Sequence, residues 1–283
     1  MVPSVPGPVE VLGGLVLDTQ VLGADGLSGL WLGGDLGLAF VGDRGRYAMA
    51  RLVLRGGRPA GLAEIVSGPL CDGSGQPLQP GYEADAEALA RLPDGTWLVA
   101  FERWHRIRAY RRLNGAAAYV EAPPGLERAR RNAGLEALTV LADGRWLAIA
   151  EWLPGALPGM TLGWIGVPGR WTGIAYRPRQ DFSVSDAAAL PDGGALVLER
   201  RFSLLEGFDA RLCRVSAAQL AEAASGAVLE GEEVLHLAPP LPADNWEGVA
   251  VAEHDGAWLV ALVTDDNQSP LQRSLLLLCR MRP

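Results

Sequence analysis

Lysine is absent from this chain of 283 residues: all 25 basic side chains are arginine, against 33 acidic ones. The net charge of −8 argues against a nucleic-acid surface, and the missing lysine fits a high-GC genome. Arg111-Arg112 and Arg128-Ala129-Arg130-Arg131 are local basic clusters, read as solvated loops or as help in holding an anion. Three cysteines, Cys71, Cys213 and Cys279, with no CxxC spacing exclude a disulfide scaffold. Cys213 and Cys279 are expected in strands as small buried apolar residues. Three isolated histidines (His105, His236, His254) lack metal-ligand spacing. No stretch approaches the roughly 18 apolar residues of a membrane span, and no G-x-S-x-G nucleophile elbow is present. Helical periodicity is weak apart from Ala217 to Ala224. Residues 1–8 show neither a charged n-region nor an apolar h-region and are read as a flexible segment. The protein is therefore expected to be periplasmic or secreted with its signal peptide removed, or else cytoplasmic.

What the chain has is repetition. Glu87-Ala88-Leu89 runs through Leu92-Pro93-Asp94-Gly95 into Trp97-Leu98-Val99-Ala100-Phe101 and ends at Glu102-Arg103. Glu136-Ala137-Leu138 runs through Asp143-Gly144 to Glu151, and Asp186-Ala187-Ala188 through Asp192-Gly193 to Glu199-Arg200-Arg201. Looser copies flank these, Asp25 to Asp43-Arg44 and Asn245-Trp246-Glu247-Gly248 to Asp265-Asp266-Asn267. Each copy reads as a β-hairpin around an Asp-Gly turn. Room for two further strands after each hairpin, with 36 Gly and 20 Pro for turns, predicts an all-β chain. The prediction is a single β-propeller domain, residues 1–283, of five four-stranded blades. A sixth blade in Leu153–Gln180 or Arg55–Tyr82 is the alternative. After the fifth hairpin only Arg273–Met281 remains, so the N-terminal Val9–Leu17 is expected to supply the missing outer strand and seal the edge.

Antiparallel pairing places the acid before each first strand (Glu87, Glu136, Asp186, Glu247) beside the acid after each second strand (Glu102, Glu151, Glu199, Asp265). Radial blades would gather these, with Asp43, Asp266 and Asn267, on one face. Counting back from the turns, Ser185 rather than Asp186 aligns with Glu87, and a one-residue slip reverses a strand side chain. Such a ring of oxygens suits Ca²⁺, with Glu87, Glu136, Glu151, Glu247, Asp43, Asp265, Asp266 and Asn267 as candidate ligands. Arg44, Arg103, Arg200 and Arg201, each following an acid, are alternative neutralisers, and such pairs equally serve as inter-blade salt bridges. Trp104, Trp152 and Trp246 stand beside motif acids as pocket walls or as packing between blades.

Phe101-Glu102-Arg103 with His105-Arg106-Ile107, Leu198-Glu199-Arg200-Arg201-Phe202-Ser203, Asn245-Trp246-Glu247-Gly248 and Thr264-Asp265-Asp266-Asn267 with Gln272-Arg273 together resemble the phytase-like propeller family, described as having esterase-like activity of phytase. The resemblance spans about Gly14 to Leu278. It implies a bacterial, exported propeller that hydrolyses phosphate or other esters. Gln268 departs from the family, which often carries an aromatic residue there.

The expected function is metal-assisted hydrolysis of a small anionic ester by a monomer. Glu102, Glu136, Arg103, Arg200 and His105 are the candidate catalytic residues. A lactonase-like or carboxylic-ester hydrolase and a non-enzymatic ligand-binding propeller are the rivals, since fold alone does not choose among them.

Overall fold

The structure, a computed structural model, describes residues 7–155, 158–267, 269 and 272–282. Strand β1 (Val9–Val16) and a one-turn helix α1 (Thr19–Leu22) precede the first blade. Blade one is β2 (Leu27–Leu32), β3 (Gly37–Gly42), β4 (Arg46–Arg55) and β5 (Arg58–Pro69). Blade two is β6 (Ala86–Arg91), β7 (Trp97–Phe101), β8 (Arg106–Tyr110) and β9 (Ala118–Val120). Blade three is β10 (Leu135–Val140), β11 (Trp146–Pro154), β12 (Thr161–Val167) and β13 (Arg170–Arg177). Blade four is β14 (Ser183–Ala189), β15 (Ala195–Ser203), β16 (Gly207–Val215) and, after α2 (Ala217–Ala221) and β17 (Val228–Glu230), β18 (Glu232–Leu237). Blade five is β19 (Trp246–His254), β20 (Ala257–Thr264) and β21 (Leu275–Met281), completed by β1.

The innermost strands touch in sequence around a closed circuit, β2 to β6, β6 to β10, β10 to β14, β14 to β19 and β19 back to β2. Five blades therefore surround one axis. The stretches that might have hidden a sixth supply outer strands β12 and β13 of blade three and β5 of blade one. One addition was not expected: β17 leaves blade four and pairs in parallel with β13, Ala175 opposite Val228.

The inner strands of each sheet are covered on both faces, which is why they read as unbroken apolar runs rather than alternating ones. All five residues of β7, Trp97 to Phe101, are buried. The core is a set of layers between blades, such as Leu196, Leu198 and Leu212 against Trp246, Val260 and Leu262. Cys71, Cys213 and Cys279 are buried free thiols. The three Asp-Gly turns share one geometry. The Leu92, Leu141 and Leu190 carbonyls accept from Gly95, Gly144 and Gly193, and those glycines take φ of 89, 84 and 92°, where a side chain would be strained. Among the described residues no helix is long and apolar enough to cross a membrane.

Closure follows the predicted route. β1 pairs antiparallel with β21, Val9 opposite Met281 and Val16 opposite Leu275. The last sheet edge of blade five is thereby occupied.

Candidate functional site

A β-bulge interrupts the start of every innermost strand. The register slips between Leu27 and Leu30, Ala86 and Ala88, Leu135 and Ala137, Val184 and Asp186, and Trp246 and Gly248. A bulge leaves one residue outside the ladder and re-aims its side chain. The residues so released are Ser28, Glu87, Glu136, Ser185 and Glu247. Beside them stand Asp43, Glu102, Glu151 and Asp265, one residue past the paired end of each second strand, and Arg200, which pairs with Ser183 in the ladder. The N–H groups of Asp43, Glu102, Glu151 and Asp265 donate to Gly26, Asp85, Gly134 and Asn245, an identical link repeated around the axis.

These two sets converge. Carboxylate oxygens of Asp85, Glu87 and Glu102 lie within 4.8 Å of one another, and so do those of Glu102, Glu136 and Glu151. Burial drives their pKa values up, with neighbouring carboxylates adding to the shift: Glu102 and Glu247 reach about 7, and Asp43 and Asp265 about 6. Glu87 and Glu136 are raised well above the ordinary carboxylate range by the same causes. Arg200 is the cation inserted among them. Its Nε donates to Glu247 Oε2 at 2.9 Å and its Nη2 lies 3.6 Å from Glu151 Oε1. Burial opposes its charge, but Glu247 and Glu151 outweigh that and hold the guanidinium ionised.

Blade four departs from the pattern, and two expected ring acids are corrected by it. Asp186 pairs with Leu198 in the ladder, where blades two, three and five have Ala88, Ala137 and Gly248. Its carboxylate accepts the Val249 N–H of blade five at 2.8 Å and its neighbour Ala187 N–H. Glu199 sits inside the ladder opposite Val184, fully buried, and accepts from Tyr176 Oη, Arg179 N and Arg211 Nε. Both acids join blades rather than face the axis. Asp186→Ala is therefore expected to cost about 1–3 kcal/mol, the penalty of an unpaired buried N–H, seen as a lower urea midpoint with cation affinity unchanged. Lost cation affinity would return Asp186 to the ring.

The expected acid–arginine pairs are also re-sorted, because successive residues at a strand end point to opposite sides. Arg44 meets Asp25 at 3.0 Å instead of Asp43, and Arg103 meets Asp85 at 2.5 Å instead of Glu102. Arg201 turns away to Glu206 and Asp209. Asp266 accepts from Ser274 Oγ, and Asn267 is an exposed turn residue at φ 47° whose N–H donates to Asp265. His105 lies against Gly134 beside Glu102, and both its ring nitrogens are buried without a partner among the described residues. Trp246 is wholly buried in the core, whereas Trp104 and Trp152 are half exposed. Gln268 lies outside the described residues, as do residues 1–6 of the expected flexible segment.

Two contributors were not among the expected ligands. Asp85 precedes Glu87 by two residues, where other blades carry Gly26, Gly134 and Ser183. Asn245 holds the same place before Glu247 and donates to Glu247 Oε1 at 2.8 Å. Its Oδ1, like that of Asp43, is buried without a donor among the described residues. Such orphaned oxygens beside crowded carboxyls fit a hard divalent cation, which takes six to eight oxygen ligands.

Comparison with known proteins agrees with this architecture. Among curated proteins none matches the sequence. The solved α-L-arabinofuranosidase of Podospora anserina in complex with cellotriose superposes at TM-score 0.53 with 11% identity, over 96% of this chain and 95% of that one. That likeness speaks to the fold alone. The PQQ-bound aldose sugar dehydrogenase of Streptomyces coelicolor gives a TM-score of 0.49 with 15% identity, over 98% and 99% of the two chains. The family profile described as "Phytase-like: Esterase-like activity of phytase" matches residues 23–268, and the chain belongs to that phytase-like family.

Proposed function

We propose that the acidic face hydrolyses phosphate esters with a divalent cation, Ca²⁺ by ligand chemistry. The observation that supports this is the pair of buried carboxylate groups meeting at Glu102, within 4.8 Å on either side. Glu136 and Glu151 would hold the cation, with Asp85 and Glu87 available beside them, which leaves Glu102 between the two groups for the attacking water. When bound, the cation neutralises phosphate charge and polarises the ester.

The chain's own groups do the rest. Arg200, fixed by Glu247 and Glu151, presents its remaining N–H donors to a phosphate oxygen and stabilises charge as it builds. Glu102, whose carboxyl is raised to about 7 in the unliganded ring, accepts the proton of the attacking water. Its Oε1 is oriented by the Gly134 N–H at 3.1 Å. The His105 ring abuts the same glycine and shields Glu102 from one side.

Release of nitrophenol from p-nitrophenyl phosphate should be seen with Ca²⁺ and collapse in EDTA. Equal release under both conditions would remove the metal from the reaction. Turnover of p-nitrophenyl acetate without the phosphate would move the protein to carboxylic esters.

A further inference from the structure

Beside the ring, between blades three and four, lies a groove of about 620 Å³. Its walls are hairpin arms that outgrow the ring: β11 continues past Glu151 to Pro154, and β15 past Arg200 to Ser203. The groove opens onto the ring itself. Arg200 lines both, and Ser183, another lining residue, donates to Glu151 Oε1 at 3.3 Å.

Two chemistries meet in this groove. The first is cationic: Arg177, Arg179, Arg200 and Arg201 line it against one acid, Asp181, in a protein of net charge −8. Arg200 and Arg201 have short carboxylate partners. Among the described residues Arg177 and Arg179 have only distant ones, Glu230 at 3.5 Å and Glu233 at 3.7 Å, and their side chains are 48% and 55% exposed. Pairs so long and so wet hold little energy, so these guanidinium groups remain available to an anion. The second chemistry is aromatic. Trp152 and Phe202 are 48% and 57% exposed on the groove walls, and Phe202 is propped from behind by Phe208, ring centres 4.8 Å apart. Two large rings held half in water at the mouth of a charged groove offer flat faces to a flat ligand.

From this we infer that the groove is a binding subsite for an aromatic anion: a flat ring carrying a negative group, stacked at Trp152 and Phe202 and paired by Arg177 and Arg179. Resting on the phosphate-ester reading of the ring, the substrate is then an aryl phosphate whose leaving group bears a second negative charge. The phosphate sits at the ring and the aryl group lies along the groove. Guanidinium suits this task because it pairs bidentately with oxyanions while stacking on rings.

Naphthalene-1-sulfonate, which has the ring and the charge but no ester, tests the groove without the reaction. Calorimetric titration should show saturable binding that is unaffected by EDTA or by Glu136→Gln. It should weaken roughly tenfold in Trp152→Ala and in Arg179→Gln, a scale set by one lost stacking or ionic contact. Both positions are exposed, so the fold tolerates the changes. No binding at millimolar probe, or equal binding by both variants, overturns the inference. Trp152→Ala should raise KM for a sulfonated naphthyl phosphate about tenfold more than it raises KM for glycerol phosphate. If no ester is turned over yet the sulfonate binds as described, the subsite stands and the hydrolytic reading of the ring falls.

Discussion

In EDTA the protein should lose stability as pH rises from about 5 to about 8, and Ca²⁺ should reverse that slope. The sign follows from the ring. Glu102 and Glu247 hold protons up to about pH 7 in the folded protein, and Asp43 and Asp265 up to about pH 6, whereas the unfolded chain releases them near pH 4. Between those limits the folded state binds more protons, so unfolding becomes easier with each step upward in pH. For Glu102 alone, a rise from 4.5 to about 7 corresponds to on the order of 3 kcal/mol. That is a large fraction of the 5–15 kcal/mol that holds a typical domain together. Below about pH 4 the opposite trend sets in, because Asp94, Asp143 and Asp209 are held below the usual range by hydrogen bonds and their support is lost on protonation. Stability without metal should therefore peak near pH 5. A bound cation replaces the protons, and its stabilisation grows with pH as the carboxylates ionise. Thermal melts at pH 5, 6.5 and 8, with EDTA and with millimolar Ca²⁺, read both slopes. A melting temperature that climbs from pH 5 to 8 in EDTA would contradict the crowded ring.

Glu136→Gln should abolish ester hydrolysis by at least a factor of about 100, the scale of losing one positioned acid–base or charge-bearing group, while leaving the fold intact. Glu136 is the bulge residue of β10, 6% exposed, and burial with its neighbours Glu87, Glu151 and Glu102 pushes its pKa well up and favours the neutral form. Glutamine copies that neutral form in shape and hydrogen bonding. Its cost therefore appears only when a cation demands the charge. The variant should melt at the parent's temperature or higher in EDTA at pH 8, yet gain less from Ca²⁺. Activity within threefold of the parent would take Glu136 out of the reaction; a collapsed melt in EDTA would show that it works as an anion in the fold.

Much of this architecture was written in the repeats. The hairpin periodicity gave the blade count, and the leftover strand at each end gave the closure of blade five. The ring was legible to the extent that counting from turns is reliable. Seven residues separate Gly95 from Glu102 and Gly144 from Glu151, and the same step from Gly193 reaches Arg200, not Glu199. Applied to both arms of blade four, the count yields Ser185 and Arg200; residue type drew attention to Asp186 and Glu199 instead. Asp85 lay outside the hairpins, where the repeat is silent, and Asn245 opened the fifth copy without being counted among the ligands. The arginine partners were illegible for a geometric reason: Arg44 and Arg103 reach back to the acid before their own hairpin, and Arg201 turns to the next strand, so none meets the acid it follows. The groove belongs to this class as well: its walls come from how far β11 and β15 overrun the ring, a length no spacing rule encodes.

The strand exchange that completes blade five bears on how the site is assembled. Glu87, Glu102, Glu136 and Glu151 come from two successive blades and can meet early, whereas Glu247 and Asp265 arrive on the blade bound by the most distant pairing in the molecule, Val9 with Met281. Contacts so far apart along the chain form slowly. The mutual repulsion of the carboxyls is thus met in full only when the last blade slots between its neighbours, and a cation waiting at the axis would ease that final step.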